Sequence, residues 1–113
     1  MADDFYPSEI LNLPEADIPF AGVRGWLLQG RKGSVVFFDI DAIGQVPPHA
    51  HGAQWGIVLE GEMELTLEGE TRTYRRGDRY YIPAGRTHSA SFKTRTYVLD
   101  FFAEPDRYQP RPR

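Results

Sequence analysis

The chain has no cysteine and only three histidines in its 113 residues. Without cysteine there is no disulfide framework and no thiolate chemistry, so a metal here would have to use imidazole and oxygen donors. No apolar stretch approaches the roughly 18 residues that a membrane span requires. Positive charge is not in excess either. Thirteen Lys and Arg face sixteen Asp and Glu, a formal net charge of −3, which argues against a nucleic-acid or anionic-membrane surface. The opening MADDFYPSEI lacks the basic-then-apolar order of a signal peptide, so the expected location is the cytoplasm. Long helices are missing as well: no segment of ten or more residues keeps a capped 3.6-residue period, and only a short turn is expected around Pro7 to Leu13.

What is present reads as one soluble, all-β domain. Hydrophobic residues make up 41% of the chain and aromatics 13%, a globular composition. A chain of this length buries roughly two thirds of its unfolded surface, enough for a core. Eleven glycines and nine prolines punctuate short segments rather than clustering, the habit of a sandwich or barrel. Candidate strands are 24–30, 34–41, 55–61, 62–69, 71–76, 79–83, 87–92 and 94–102. In the fourth, Met63, Leu65 and Leu67 alternate with Glu64, Thr66 and Glu68, a period of two with one wet face. Residues 1–113 are expected to form a single domain. Residues 1–20 would be an arm packed on the body or on a second subunit, and 105–113 a tail that lacks a core pattern and frays.

The stretch PPHAHGAQWGIVLEG, residues 47–61, places His49 and His51 one residue apart. In a strand that spacing aims two side chains at the same face. Pro47 and Pro48 cannot continue an interior ladder and would pin the register before it. The third histidine, His88, follows the Pro83–Gly85 turn and shares a strand face with Ala90 and Phe92. Three neutral imidazoles suit zinc, nickel, iron or copper, and the nearby oxygens for a fourth position are Gln54, Glu60 and Glu62. The same residues also fit a solvated turn and an ordinary surface histidine.

Residues 44–61, GQVPPHAHGAQWGIVLEG, resemble the first motif of the cupin superfamily: a glycine, HxH, an acidic ligand, then six residues and a glycine. Residues 77–92, GDRYYIPAGRTHSASF, resemble the second, Gly-x5-Pro-x-Gly-x2-His, at Gly77, Pro83, Gly85 and His88. The asparagine often found four residues later is Phe92 here. The resemblance implies an antiparallel jelly-roll β-barrel (a double-stranded β-helix). It also implies one divalent ion, nickel, zinc, iron or manganese, on His49, His51 and His88. Where the family usually has glutamate this chain has Gln54, which would ligate through its amide oxygen or leave that position to water. A site without a carboxylate leaves the ion's charge uncompensated and makes it a stronger Lewis acid.

Asp100 interrupts the apolar strand TYVLDFF. Alternation groups it with Val98 and Phe102, so it either lines a pocket as a general acid or base, or pairs with an arginine on an edge. The ligand set and an Asp-x-Phe at Asp100 and Phe102 resemble the small cupins that open unsaturated uronate sugars. That resemblance implies a lyase- or isomerase-type enzyme on a small-molecule substrate, with Phe102 and Arg107 in contact with it. Arg86 and Tyr81 are further candidate substrate contacts. A metal-dependent dioxygenase and a non-catalytic sugar- or effector-binding module are the alternatives, since fold alone does not give function. The outward stripe Trp55, Ile57 and Leu59 suggests a homodimer.

Overall fold

A computed structural model describes residues 5–42 and 45–112; residues 1–4 of the arm, Gly44 of the first motif and Arg113 lie outside them. Nine strands and one four-residue helix, α1 (Ser8–Leu11), are present among the described residues. None of the helical structure described is long and apolar enough to cross a membrane.

The strands form two antiparallel sheets. The larger one contains β1 (Val23–Gln29), β2 (Ser34–Ile40), β4 (Gln54–Glu60), β7 (Arg79–Ile82) and β9 (Thr96–Phe102), in the order β1-β2-β9-β4-β7. The smaller one contains β3 (Gln45–His49), β5 (Glu62–Leu67), β6 (Glu70–Arg75) and β8 (His88–Ser91), in the order β3-β8-β5-β6. Their facing sides enclose the core, giving a jelly-roll barrel. The period-two patterning explains this directly: along β4 the buried residues are Gln54, Gly56 and Val58, and along β5 they are Met63 and Leu65. Between β5 and β6 the chain reverses at Glu68 and Gly69, with φ of 48° and 86°. Two consecutive positive φ values are what a tight hairpin of matching twist requires.

The strand that the sequence did not announce is β3. It contains Pro47 and Pro48, and it lies at the edge of its sheet with a register shift between Val46 and His49. An edge and an irregularity are the places where a strand can lose ladder donors cheaply. The expected fraying tail is also corrected. The Asp17 N–H donates to the Gln109 carbonyl at 2.8 Å and the Arg111 N–H to that of Glu15 at 2.7 Å. Tyr108 is buried against Phe38 and Phe102. The arm is similarly tied down, with the Tyr6 hydroxyl donating to the Phe38 carbonyl at 2.7 Å.

Candidate metal centre

Three imidazoles meet at one end of the barrel. His49 closes β3 and is the register partner of His88 at the start of β8. His51 does not lie on that strand, so the same-face argument for HxH does not describe how it arrives. It sits in the loop between β3 and β4. The Ala103 N–H donates to Ala53 at 2.9 Å, the Gly85 N–H to the His51 carbonyl at 2.9 Å, and the Gly52 N–H to Glu104 Oε1 at 3.0 Å. Strand end and fastened loop bring the ring centroids within 4.2 to 5.0 Å of one another.

All three rings are oriented the same way. Nδ1 of His49 contacts the Pro47 carbonyl at 2.8 Å, that of His51 the Gly52 carbonyl at 2.8 Å, and that of His88 the Arg86 carbonyl at 2.9 Å. A carbonyl only accepts, so each Nδ1 carries the proton and each Nε2 keeps its lone pair. This is how metal-ligating histidines are oriented in general. Burial pushes the imidazole pKa values down, to about 4 for His51, with neighbouring imidazoles and the Arg107 charge adding to the effect. The rings are therefore neutral at pH 7. The potential ligand atoms lie within 4.8 Å of one another, a little over twice a metal–nitrogen bond of about 2.0–2.1 Å. Nε2 of His51, Nε2 of His88 and Oε1 of Gln54 are buried without a hydrogen-bond partner. Each such atom costs about 1–3 kcal/mol unless something else satisfies it. A divalent cation fits that donor set.

The cavity these atoms line has a volume of about 60 Å³. It exceeds the roughly 10–15 Å³ that one water needs. Apolar side chains from both sheets line it, together with the three histidines, Gln54, Tyr80 and Asp100. Asp100 lies on β9, a central strand, and is 4% exposed. It accepts a hydrogen bond from the Tyr80 hydroxyl at 2.5 Å and another from the Gln54 amide. Burial pushes its pKa up to about 7, although both hydrogen bonds favour the carboxylate. No arginine partners it among the described hydrogen bonds; the Asp39–Arg95 pair, at 2.8 and 3.0 Å, lies elsewhere.

The family profile described as Cupin domain matches residues 34–102. The chain belongs to the cupin family. No curated protein matches it in sequence, whereas many solved structures are similar to it in structure. KdgF from Halomonas sp. is 27% identical with a TM-score of 0.73, over 81% of this chain and 88% of that one. An RmlC-like cupin from Shewanella frigidimarina is 25% identical with a TM-score of 0.77, over 94% of each chain. Salicylate 1,2-dioxygenase from Pseudoaminobacter salicylatoxidans, seen with gentisate, shares the fold at 20% identity and TM-score 0.70, over 87% of this chain and 30% of that one.

In this cupin, His49, His51, Gln54, His88, Asp100 and Phe102 all line one cavity. Arg107 does not line it but lies over two rings that do, with its guanidinium carbon 4.3 Å from the Tyr108 ring centre and 5.8 Å from that of Phe102. Its Nε is buried without a partner. Two placements are corrected. Tyr81 is 59% exposed, because on β7 Tyr80 and Ile82 face inward and Arg79 and Tyr81 outward. Arg86 pairs with Glu68 at 3.0 Å on the surface. The remaining candidate oxygens also point elsewhere: Glu62 pairs with Arg75 at 2.8 Å and Glu60 with Arg76 at 3.9 Å. The residue that the sequence reading does not single out is Tyr80, which lines the cavity and donates to Asp100. The parity that buries Ile82 beside it was the available signal.

Proposed function

We propose that this cupin holds one divalent ion, nickel, zinc, iron or manganese, on His49, His51 and His88 with Gln54 Oε1 as fourth ligand. We further propose that it is a lyase- or isomerase-type enzyme acting on a small oxygenated or sugar-acid substrate. The observation that carries this reading is Asp100, a buried carboxyl on the wall of the cavity that the three imidazoles line. When bound, the ion would supply a Lewis acid for a substrate oxygen. The rest is the work of side chains. Asp100, with its pKa raised to about 7, can take a proton from a substrate hydroxyl and return one to carbon near neutral pH, as a general base and then acid. Such a step rearranges the substrate without any co-reactant. Arg107 offers a cation for a substrate carboxylate, and the Phe102 ring offers an apolar wall for a sugar face. Ring opening of an unsaturated uronate, the chemistry implied by the Asp-x-Phe resemblance, fits this set of groups.

The test is turnover of unsaturated uronates, followed by loss of their ultraviolet absorbance, for wild type and Asp100→Asn. Proton transfer by one positioned group contributes about 10²–10⁴-fold, and a loss of that size is expected. An unchanged rate in Asp100→Asn would overturn the reading, and a strict need for oxygen would point instead to a dioxygenase.

We also propose a homodimer. Leu28, Val35, Phe101, Trp55 and Tyr81 are successive register partners across all five strands of the larger sheet. They form an apolar row on its outer face, with Leu28, Phe101, Trp55 and Tyr81 exposed. A second copy covering that row would remove these exposed apolar side chains from water.

A further inference from the structure

Three strands place Asp100, Gly56 and Tyr80 side by side, with Gly56 the register partner of both. On an ordinary sheet the middle side chain would separate the outer two. A Cβ on Gly56 would lie 2.0 Å from Asp100 Oδ1 and 2.3 Å from Tyr80 Cζ. Glycine leaves the gap through which the Tyr80 hydroxyl reaches the carboxylate. Tyr80 is itself held from behind by the Tyr74 ring, edge-on at 5.5 Å.

The other donor to Asp100 is the Gln54 amide. The two ends of that amide have nearly the same shape, so packing alone does not choose between them. A carboxylate chooses, because it accepts and does not donate. With the NH₂ end turned to Asp100, Oε1 is left buried without a protein partner in the cavity shared with the imidazoles. The reverse orientation would present two N–H donors to any cation there.

We infer that Tyr80 is a positioning residue for the metal site: acting across Gly56 and through Asp100, it holds the Gln54 amide so that Oε1 is the end offered to the ion. This rests on the metal-site reading above but not on the proposed reaction. Groups that orient a metal ligand typically change affinity by 10–100-fold when removed.

The experiment is cobalt(II) titration of the metal-stripped full chain, read by its visible absorption, for wild type, Tyr80→Phe, Gln54→Ala and the double variant. Tyr80→Phe is expected to weaken binding about tenfold and to alter the cobalt spectrum, Gln54→Ala to weaken it at least as much, and the double variant to match Gln54→Ala. A general packing role would instead make the two losses add. Additive losses, a Tyr80→Phe affinity equal to wild type, or a Gln54→Ala affinity equal to wild type would each overturn the inference. Should Tyr80→Phe not fold, Asp100→Ala read against Gln54→Ala gives the same cycle. No cobalt binding by wild type would overturn the metal-site reading itself and this inference with it. Normal wild-type binding with an unchanged Tyr80→Phe overturns this inference alone.

Discussion

Replacing Gly56 by alanine adds one methyl group at the most crowded point of the cavity wall. Its carbon would fall 2.0 Å from Asp100 Oδ1, 2.3 Å from Tyr80 Cζ and 2.4 Å from Tyr80 Cε1. An ordinary carbon contact needs about 3.5 Å, so both side chains must withdraw by more than an ångström and their mutual hydrogen bond breaks. Overpacking of this kind costs about 1–3 kcal/mol, and leaving a buried polar pair unsatisfied costs a further ~1–3 kcal/mol. The expected loss is therefore roughly 2–6 kcal/mol. For a domain of this size that corresponds to a melting temperature lower by about 10–20 °C. Thermal and urea denaturation of the metal-free protein measure it. Gly30→Ala is the control: there the nearest atom to an added Cβ is 3.6 Å away, and stability should change by no more than about 0.5 kcal/mol. A Gly56→Ala protein melting within about 3 °C of wild type would refute the idea that Asp100 and Tyr80 are locked together over this glycine.

In the metal-free protein the histidine pKa values are lowered, to about 4 for His51, so below the ordinary value of 6.5 only the unfolded chain takes up these protons. Stability is then lost as pH falls from about 6.5 toward 4. Asp100 works in the opposite sense, because its folded pKa of about 7 lies above the ordinary 3.8 and the folded state takes up its proton first. Asp100→Asn should therefore steepen the rise of stability between about pH 4 and 6.5 by up to ~1.4 kcal/mol per pH unit, as urea unfolding across that range would read; an unchanged slope would place the carboxyl outside the core. Saturating divalent metal at about 100 times its dissociation constant should stabilise the fold by about 2.7 kcal/mol, visible as a higher melting temperature. Trp55→Glu puts a charge within the apolar row and should turn a dimer into a monomer by light scattering; a wild type that is already monomeric contradicts the proposed assembly.

Much of the barrel was legible because its strands alternate with period two and end at glycine or proline turns. On β9 the alternation grouped Asp100 with Val98 and Phe102, and on β4 it set Gln54 and Gly56 opposite the Trp55 stripe; the structure turns both groups inward. Legibility failed where the chain leaves that rule. The edge strand β3 carries two prolines and a register shift, so it has no alternation to read. His51 arrives by a loop whose position depends on contacts from Glu104, Ala103 and Gly85, far along the chain. Tyr80 and Tyr81 are adjacent and identical; parity with Ile82 turns Tyr80 inward, but its meeting with Asp100 depends on the register of both against Gly56. Tyr108 lies in PDRYQPRPR, whose composition looks like a loose tail, yet its ring closes against Phe102 because residues 109–111 pair with the arm.

The central claim is that the three clustered imidazoles of His49, His51 and His88 form one cation site. Its most direct test is elemental analysis of the full chain after equilibration with nickel or zinc and removal of the excess. Wild type should retain one ion per chain, and His49→Ala and His88→Ala should each lose nearly all of it while remaining folded by circular dichroism. Full metal content in either folded histidine variant, or none in the wild type, would contradict the account.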